Sequence, residues 1–253
     1  MDSYTEKPWL SYRNDIIDFL NLTKDQNPAC AIFEADITKA TQIIAQHKDR
    51  NPSNSTLAYL LWCYAQAIKK HPEMQAIKKG KKLILFDDVD ITMIFEKTLP
   101  NGEKAPVPHI FRAVQNKSYA DIKAEILSLK DKDLSEINKR KKSGFFKALP
   151  AFLRMSILKM ALKDPVRRKQ ALGTVAFTTL GLTVRNRKFW PVPIGPYPCS
   201  IAAGSSVIDK GINGDKNIWC LTISFDHNMN DGAPAVRFGQ TFINLLESGE
   251  GLL

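Results

Sequence analysis

The stretch FDHNMNDGA, Phe225–Ala233, decides how this chain is read. Before it runs NIWCLTISF, rich in β-branched and aromatic residues, which reads as a strand. After it runs PAVRFGQTFINLLE, which reads as a helix beginning near Asp231. His227 and Asp231 therefore stand four residues apart where a strand gives way to a helix, with Gly232 next, where the chain turns. An imidazole titrates near neutrality, so it can take a proton from a thiol, hydroxyl or amine and return it later. A carboxylate at a helix start can cap backbone N–H groups or pair with a cation. On spacing alone a surface-turn histidine followed by an N-capping aspartate is an equal reading.

Upstream, helices are expected at Ile16–Leu22, from Thr38 to His47, from Thr56 to Lys70 (apolar nearly all round and so buried) and from Ser118 to about Arg140. Strands are expected at Ala29–Ile37, in KLILF and DITMIF around the turn-forming Asp87-Asp88, in PVPHIFRAV, in GTVAFTTLG and in CSIAAGSSVI. Helices and strands mix without regular βαβ alternation. That pattern predicts an α/β two-layer sandwich with a mixed sheet, in one domain spanning 1–253.

The 253 residues carry a net charge of +10, which raises the question of nucleic acid. From Lys139 to Lys169, however, there are eleven Lys or Arg and one acid, Asp164, so the remainder of the chain is neutral. The basic residues are interleaved with aliphatic FFKALPAFLRMSILKMALK, which lacks the aromatics of a single-strand stacking platform, and no nucleic-acid partner is expected. No charge-free run of eighteen apolar residues is present, and MDSYTEKPWLSYRND has no signal-peptide h-region. Cys30, Cys63, Cys199 and Cys220 lack CxxC spacing and read as reduced thiols, so Asn54-Ser55-Thr56 reads as a chance glycosylation match and the compartment as cytoplasmic. GxSxG, Walker, GxGxxG and HExxH motifs are all missing. The other histidines, His47, His71 and His109, are scattered and read as structural, and no metal site is expected.

The segment from Phe225 to the C-terminus resembles the end of the dihydrolipoyl acyltransferase catalytic domain of the 2-oxoacid dehydrogenase family. That family shares H-x-x-x-D-G with the chloramphenicol acetyltransferases, and His227, Asp231 and Gly232 match it. Further motifs resemble the family in order: Arg13 with the following DII, EADITKA, YLLWCYAQAIKKHPEMQA, GTVAFTTLG, and WPVPIGPYPCSIAAGS. The resemblance implies a chloramphenicol acetyltransferase-like fold and an acyltransferase with CoA thioesters as co-substrates and no tightly bound cofactor. It implies that His227 is the general base, that Thr178, where the family has a serine, donates a hydrogen bond to the oxyanion, and that Asp231 pairs with Arg13 to fix the turn. It also implies a homotrimer with active sites between subunits. Asn228 stands where the acyltransferases often have arginine; the chloramphenicol enzymes lack that arginine too.

The family likeness begins by about residue 9, so no lipoyl or peripheral-subunit-binding domain is expected, and the acceptor is a small molecule or a carrier-bound group. Xenobiotic O-acetylation and a non-catalytic trimeric scaffold or membrane-associated module are the alternatives. The basic-apolar insert, about 139–169, reads as a helix over Leu149–Lys163 between the basic runs KRKK (139–142) and RRK (167–169). It suits an anionic membrane surface, which would make the protein peripheral, and equally an acyl chain, CoA phosphates or a neighbouring subunit.

Overall fold

A computed structural model describes residues 3–6, 9–10, 12–46, 52–98, 104–131, 149–180, 184, 187–212 and 214–252. Its centre is a six-stranded mixed sheet. The strands are β1 Pro28–Asp36, β4 Ile91–Thr98, β5 Lys104–Phe111, β6 Val175–Thr179, β7 Cys199–Gly211 and β8 Gly214–Asp226. Across the sheet they stand in the order β1-β8-β7-β6-β4-β5. The pairs β4/β6 and β6/β7 are parallel, and the outer pairs β1/β8, β8/β7 and β4/β5 are antiparallel. With helices on one face, this is the two-layer α/β sandwich with a mixed sheet that the sequence predicts.

The helices are α1 Tyr12–Asn21, α2 Thr38–Gln46, α3 Pro52–Lys70, α4 Tyr119–Asp131, α5 Ala151–Ala161, α6 Pro165–Leu172 and α7 Gly232–Ser248. The expected strands and helices recur close to their predicted bounds; the predicted end of α4, His47 and the KRKK run lie outside the described residues. Helix α3 is the hub. Tyr59, Leu60, Leu61, Cys63, Tyr64, Ala65, Ala67 and Ile68 are all buried. Its two tyrosine hydroxyls still find acceptors, Tyr59 donating to Leu245 O at 2.6 Å and Tyr64 to Cys199 O at 3.3 Å. The second bond ties the hub to the first residue of β7. On α7 the buried Ala235, Phe238, Gly239, Phe242, Leu245 and Leu246 recur at helical spacing and close the core from the C-terminal side.

One pairing differs from expectation. The strands in KLILF and DITMIF do not face each other across Asp87-Asp88. β3, Lys82–Ile84, instead pairs with β2, Ile77–Lys79, in a separate two-stranded ribbon. Gly80, at φ +61°, supplies the left-handed residue that so tight a hairpin needs, and it wins over the aspartate pair. Asp88 serves a tertiary contact: Lys169 Nζ lies 2.9 Å from its carboxylate.

The sheet's second face carries the proline-rich loop, residues 187–198. Ser205 Oγ accepts from Phe189 N at 2.9 Å and donates to Arg187 O at 2.6 Å, while Trp190 Nε1 donates to Phe33 O at 3.2 Å. The loop lies so close that a Cβ on Gly204 would meet Phe189 O at 1.8 Å. Gly204→Ala must lift the loop off β7. It is expected to cost about 3 kcal/mol, the upper range for overpacking, lowering Tm by roughly 10 °C for a domain of this size. Thermal unfolding followed by circular dichroism checks this.

Glu125 on α4 bridges His109 Nε2 at 2.8 Å and Lys117 Nζ at 2.6 Å. Burial pushes its carboxyl up, but the hydrogen bonds from His109 and Lys117 outweigh that and hold it below the usual range. A carboxylate depressed in the folded state stabilises above the unfolded value of about 4.3 and loses that contribution as pH falls through the folded value. Wild type is therefore expected to be more stable than Glu125→Gln at pH 7, and the difference should shrink to nothing on the acid side of pH 4. Urea midpoints across that range test it.

Candidate active site

His227 follows β8 directly. Its position is set by the backbone: His227 N donates to Asn27 O at 2.8 Å. The carboxylate before it, Asp226, is buried and works as a clasp. Asp226 Oδ1 accepts from Asn27 N at 3.2 Å and from Asn228 N at 3.0 Å, while Asp226 O accepts from Met229 N at 2.9 Å and Asn230 N at 3.1 Å. Asn228, beside the histidine, donates to Asp25 O at 3.1 Å and accepts from Asn27 Nδ2 at 2.7 Å. The side chain of Asn230 reaches Glu73 O at 3.1 Å, anchoring the far end of the turn below α3. These bonds immobilise the backbone on either side of an imidazole that is itself 52% exposed. A fixed base with an open ring edge is the arrangement proton transfer needs.

Asp231 stands at the N-cap position of α7, but its side chain makes no capping bond. Its oxygen lies 3.8 Å from His227 Nδ1, within ion-pair reach if the imidazole is protonated and beyond hydrogen-bond length otherwise. Arg13 stands apart from both. It is exposed in the first turn of α1, with its guanidinium 5.9 Å from the Tyr12 ring centre, and the pairing with Asp231 that the family resemblance implies is not formed within the single chain. Gly232 opens α7 without a positive φ, and nothing lies within 4 Å of where its Cβ would stand.

Thr178 lies two strands away. On β6 the neighbours Val175 and Phe177 join the core beneath the helices, so Thr178 points to the opposite face, where it is half-buried. Its register row runs Thr178–Ala202–Thr222–Ile32 across β6, β7, β8 and β1. His227 lies five residues beyond Thr222, about 16 Å along the strand and about 10 Å across two strand spacings from Thr178. Within one chain the two side chains therefore do not meet.

Asp226, Asn27 and Asn230 were not singled out in the sequence, and Asn228 was noted only as standing where the family often has arginine. A signal existed, since an aspartate ending a strand with a polar residue two positions on favours an Asx turn. Its partner Asn27 comes from the other end of the chain, which no local pattern reveals. Behind the clasp, a cavity of about 50 Å³ is lined by Gln26, Tyr197, Ser200, Ser224 and Asp226. Arg168 of α6 is bonded to Pro196 O in the loop above, and burial pulls its guanidinium down from the ordinary value while Tyr197 and Asp226 oppose that.

The fold is chloramphenicol acetyltransferase-like. Residues 1–141 match the family described as 2-oxoacid dehydrogenases acyltransferase (catalytic domain), and the chain belongs to that family. It is an acyltransferase catalytic domain of the 2-oxoacid dehydrogenase type. The dihydrolipoamide acetyltransferase of Azotobacter vinelandii superposes with a TM-score of 0.71 at 16% identity, covering 99% of this chain and 94% of that one. The cubic core of a pyruvate dehydrogenase multienzyme complex gives 0.68 at 17%, covering 99% and 94%. A chloramphenicol acetyltransferase gives 0.52 at 15%, covering 94% and 96%. No curated protein matches the chain in sequence.

Proposed function

We propose that the protein transfers an acyl group from a CoA thioester to a thiol, hydroxyl or amine acceptor, with His227 as general base. The clamped backbone and half-exposed ring of His227 carry this reading. His227 takes the acceptor's proton as the acceptor atom attacks the thioester carbonyl carbon. The tetrahedral oxyanion accepts a hydrogen bond from Thr178 Oγ1. When the carbon–sulfur bond breaks, the imidazolium returns the proton to the departing CoA thiolate. No metal or redox partner enters this balance.

The separation of Thr178 from His227 along the register supports a site completed by a second chain, and so the homotrimer of the family resemblance. One fold neighbour is a cubic core, which favours a symmetric assembly as well. In the Azotobacter protein the residues studied for their role in the catalytic mechanism are a serine, a histidine and an asparagine, the last two spaced as His227 and Asp231 are here. Thr178 keeps the hydroxyl that such a serine provides.

A panel of acyl-CoAs from acetyl to palmitoyl, each with dihydrolipoamide, chloramphenicol, small alcohols and amines as acceptors, tests the function through thiol balance and acylated product. Acceptor-dependent turnover is expected. An assembled trimer that binds no CoA thioester would instead be a scaffold. Product from chloramphenicol but not from dihydrolipoamide would move the protein to xenobiotic O-acetylation.

A further inference from the structure

Helix α5 leaves large apolar side chains exposed. A surface helix ordinarily turns apolar residues inward and charges to water. Here no residue of α5 is fully buried, and Arg154 turns inward, its Nε 2.9 Å from the buried carboxylate of Asp18 on α1. Lys159 reaches Asp25 at 2.7 Å, just beyond the same helix. The outward side carries Phe152 (68% exposed), Leu153 (40%), Ile157 (41%) and Met160 (68%). Leu153, Ile157 and Met160 follow i, i+4, i+7 spacing with Phe152 alongside, so they form one stripe. Partial burial of Met155, Leu158 and Ala161 beside the Arg154 and Lys159 ion pairs holds this helix to the protein, and four large apolar side chains are left facing away.

The charge around the stripe selects its partner. Residues 139–169 carry eleven Lys or Arg and one acid; Arg154 and Lys159 are engaged by Asp18 and Asp25, and Lys163 is exposed. Asp164, which follows, bonds Val166 N as the N-cap of α6 and lies 3.7 Å from Arg167. A second copy docked on this stripe would bring the same cations against one another. Negatively charged headgroups over an apolar layer complement both features. Helix α5, eleven residues long, extends about 16 Å, roughly half the hydrocarbon thickness of a bilayer. Among the described residues no helix is long and apolar enough to cross a membrane. We propose that α5 docks the protein flat on an anionic lipid surface, seating Phe152, Leu153, Ile157 and Met160 at the acyl boundary with Lys163 among the headgroups.

Co-sedimentation of the full chain with vesicles of phosphatidylcholine, and of phosphatidylcholine with about one third phosphatidylglycerol, tests the proposal. Binding to the anionic vesicles is expected to exceed binding to the neutral ones by at least about tenfold at low salt and to fall as salt rises. Phe152→Glu with Met160→Glu should remove the binding, and Lys163→Gln should weaken it. All three side chains are exposed and outside the core, so Tm should stay unchanged in both variants. Three outcomes would overturn the proposal: no binding to anionic vesicles at low salt, equal binding by the glutamate variant, or dissociation of the assembly by that variant, which would make the stripe a subunit contact. Acyl transfer is assayed without vesicles, so either reading can fail alone.

Discussion

His227→Ala is expected to lower acceptor-dependent acyl transfer by about 10³–10⁴-fold, near the upper range for removing a general base. The acceptor must lose a proton as it attacks, and none of the groups held by the turn can replace the imidazole. Asp226 is committed to the backbone of Asn27 and Asn228, and the side chain of Asn228 to residues 25 and 27. The loss should fall on kcat, with the KM for the acyl-CoA little changed, because the ring edge contributes to the reacting centre rather than to the anchoring of the nucleotide. His227 is exposed, so its removal leaves the fold intact and Tm within a degree or two. Equal turnover by the variant would remove His227 from the mechanism.

Thr178→Val should cost about 10²–10³-fold in kcat, the range for losing one oxyanion donor. Thr178→Ser, which keeps the hydroxyl and matches the family's usual residue, should retain activity within a few fold. Valine preserves the shape and the β-branching of threonine on β6, so the difference isolates the O–H. Mixing the two inactive chains gives a sharper result. If each site takes His227 from one subunit and Thr178 from its neighbour, co-refolding equal amounts of His227→Ala and Thr178→Val restores about a quarter of wild-type activity, since a quarter of the interfaces pair the two intact residues. Sites confined to one chain would give no recovery at all.

The fold was legible in the sequence because its elements announce themselves locally. Alternation marked β1, the apolar run marked α3, and the proline after Lys70 marked its end. The site was legible in part. His227, Asp231 and Gly232 form a contiguous pattern, and Thr178 lies in a strand motif, so both could be found without coordinates. The clasp could not, because Asp226 and Asn27 lie 199 residues apart in sequence and meet only through β1/β8 pairing. The hairpin β2/β3 was missed where two turn signals competed, with the backbone freedom of Gly80 prevailing over Asp87-Asp88. The orientation of α5 was hidden for a related reason. Its sequence reads as basic and apolar in any orientation, and only Asp18, from the far end of the chain, decides which side Arg154 takes.

The pairing of β1 with β8 also sets when the protein can become active during synthesis. β1 is made long before β8, its sheet neighbour, so residues 28–36 wait as an unpaired edge until residue 226 has emerged. Contacts of such sequence separation form late and slowly. The nascent chain is then most exposed to sticking at that edge, and a ribosome pausing late in the message would prolong the danger. The same delay means that no chain still short of residue 226 holds the backbone of His227 against Asn27.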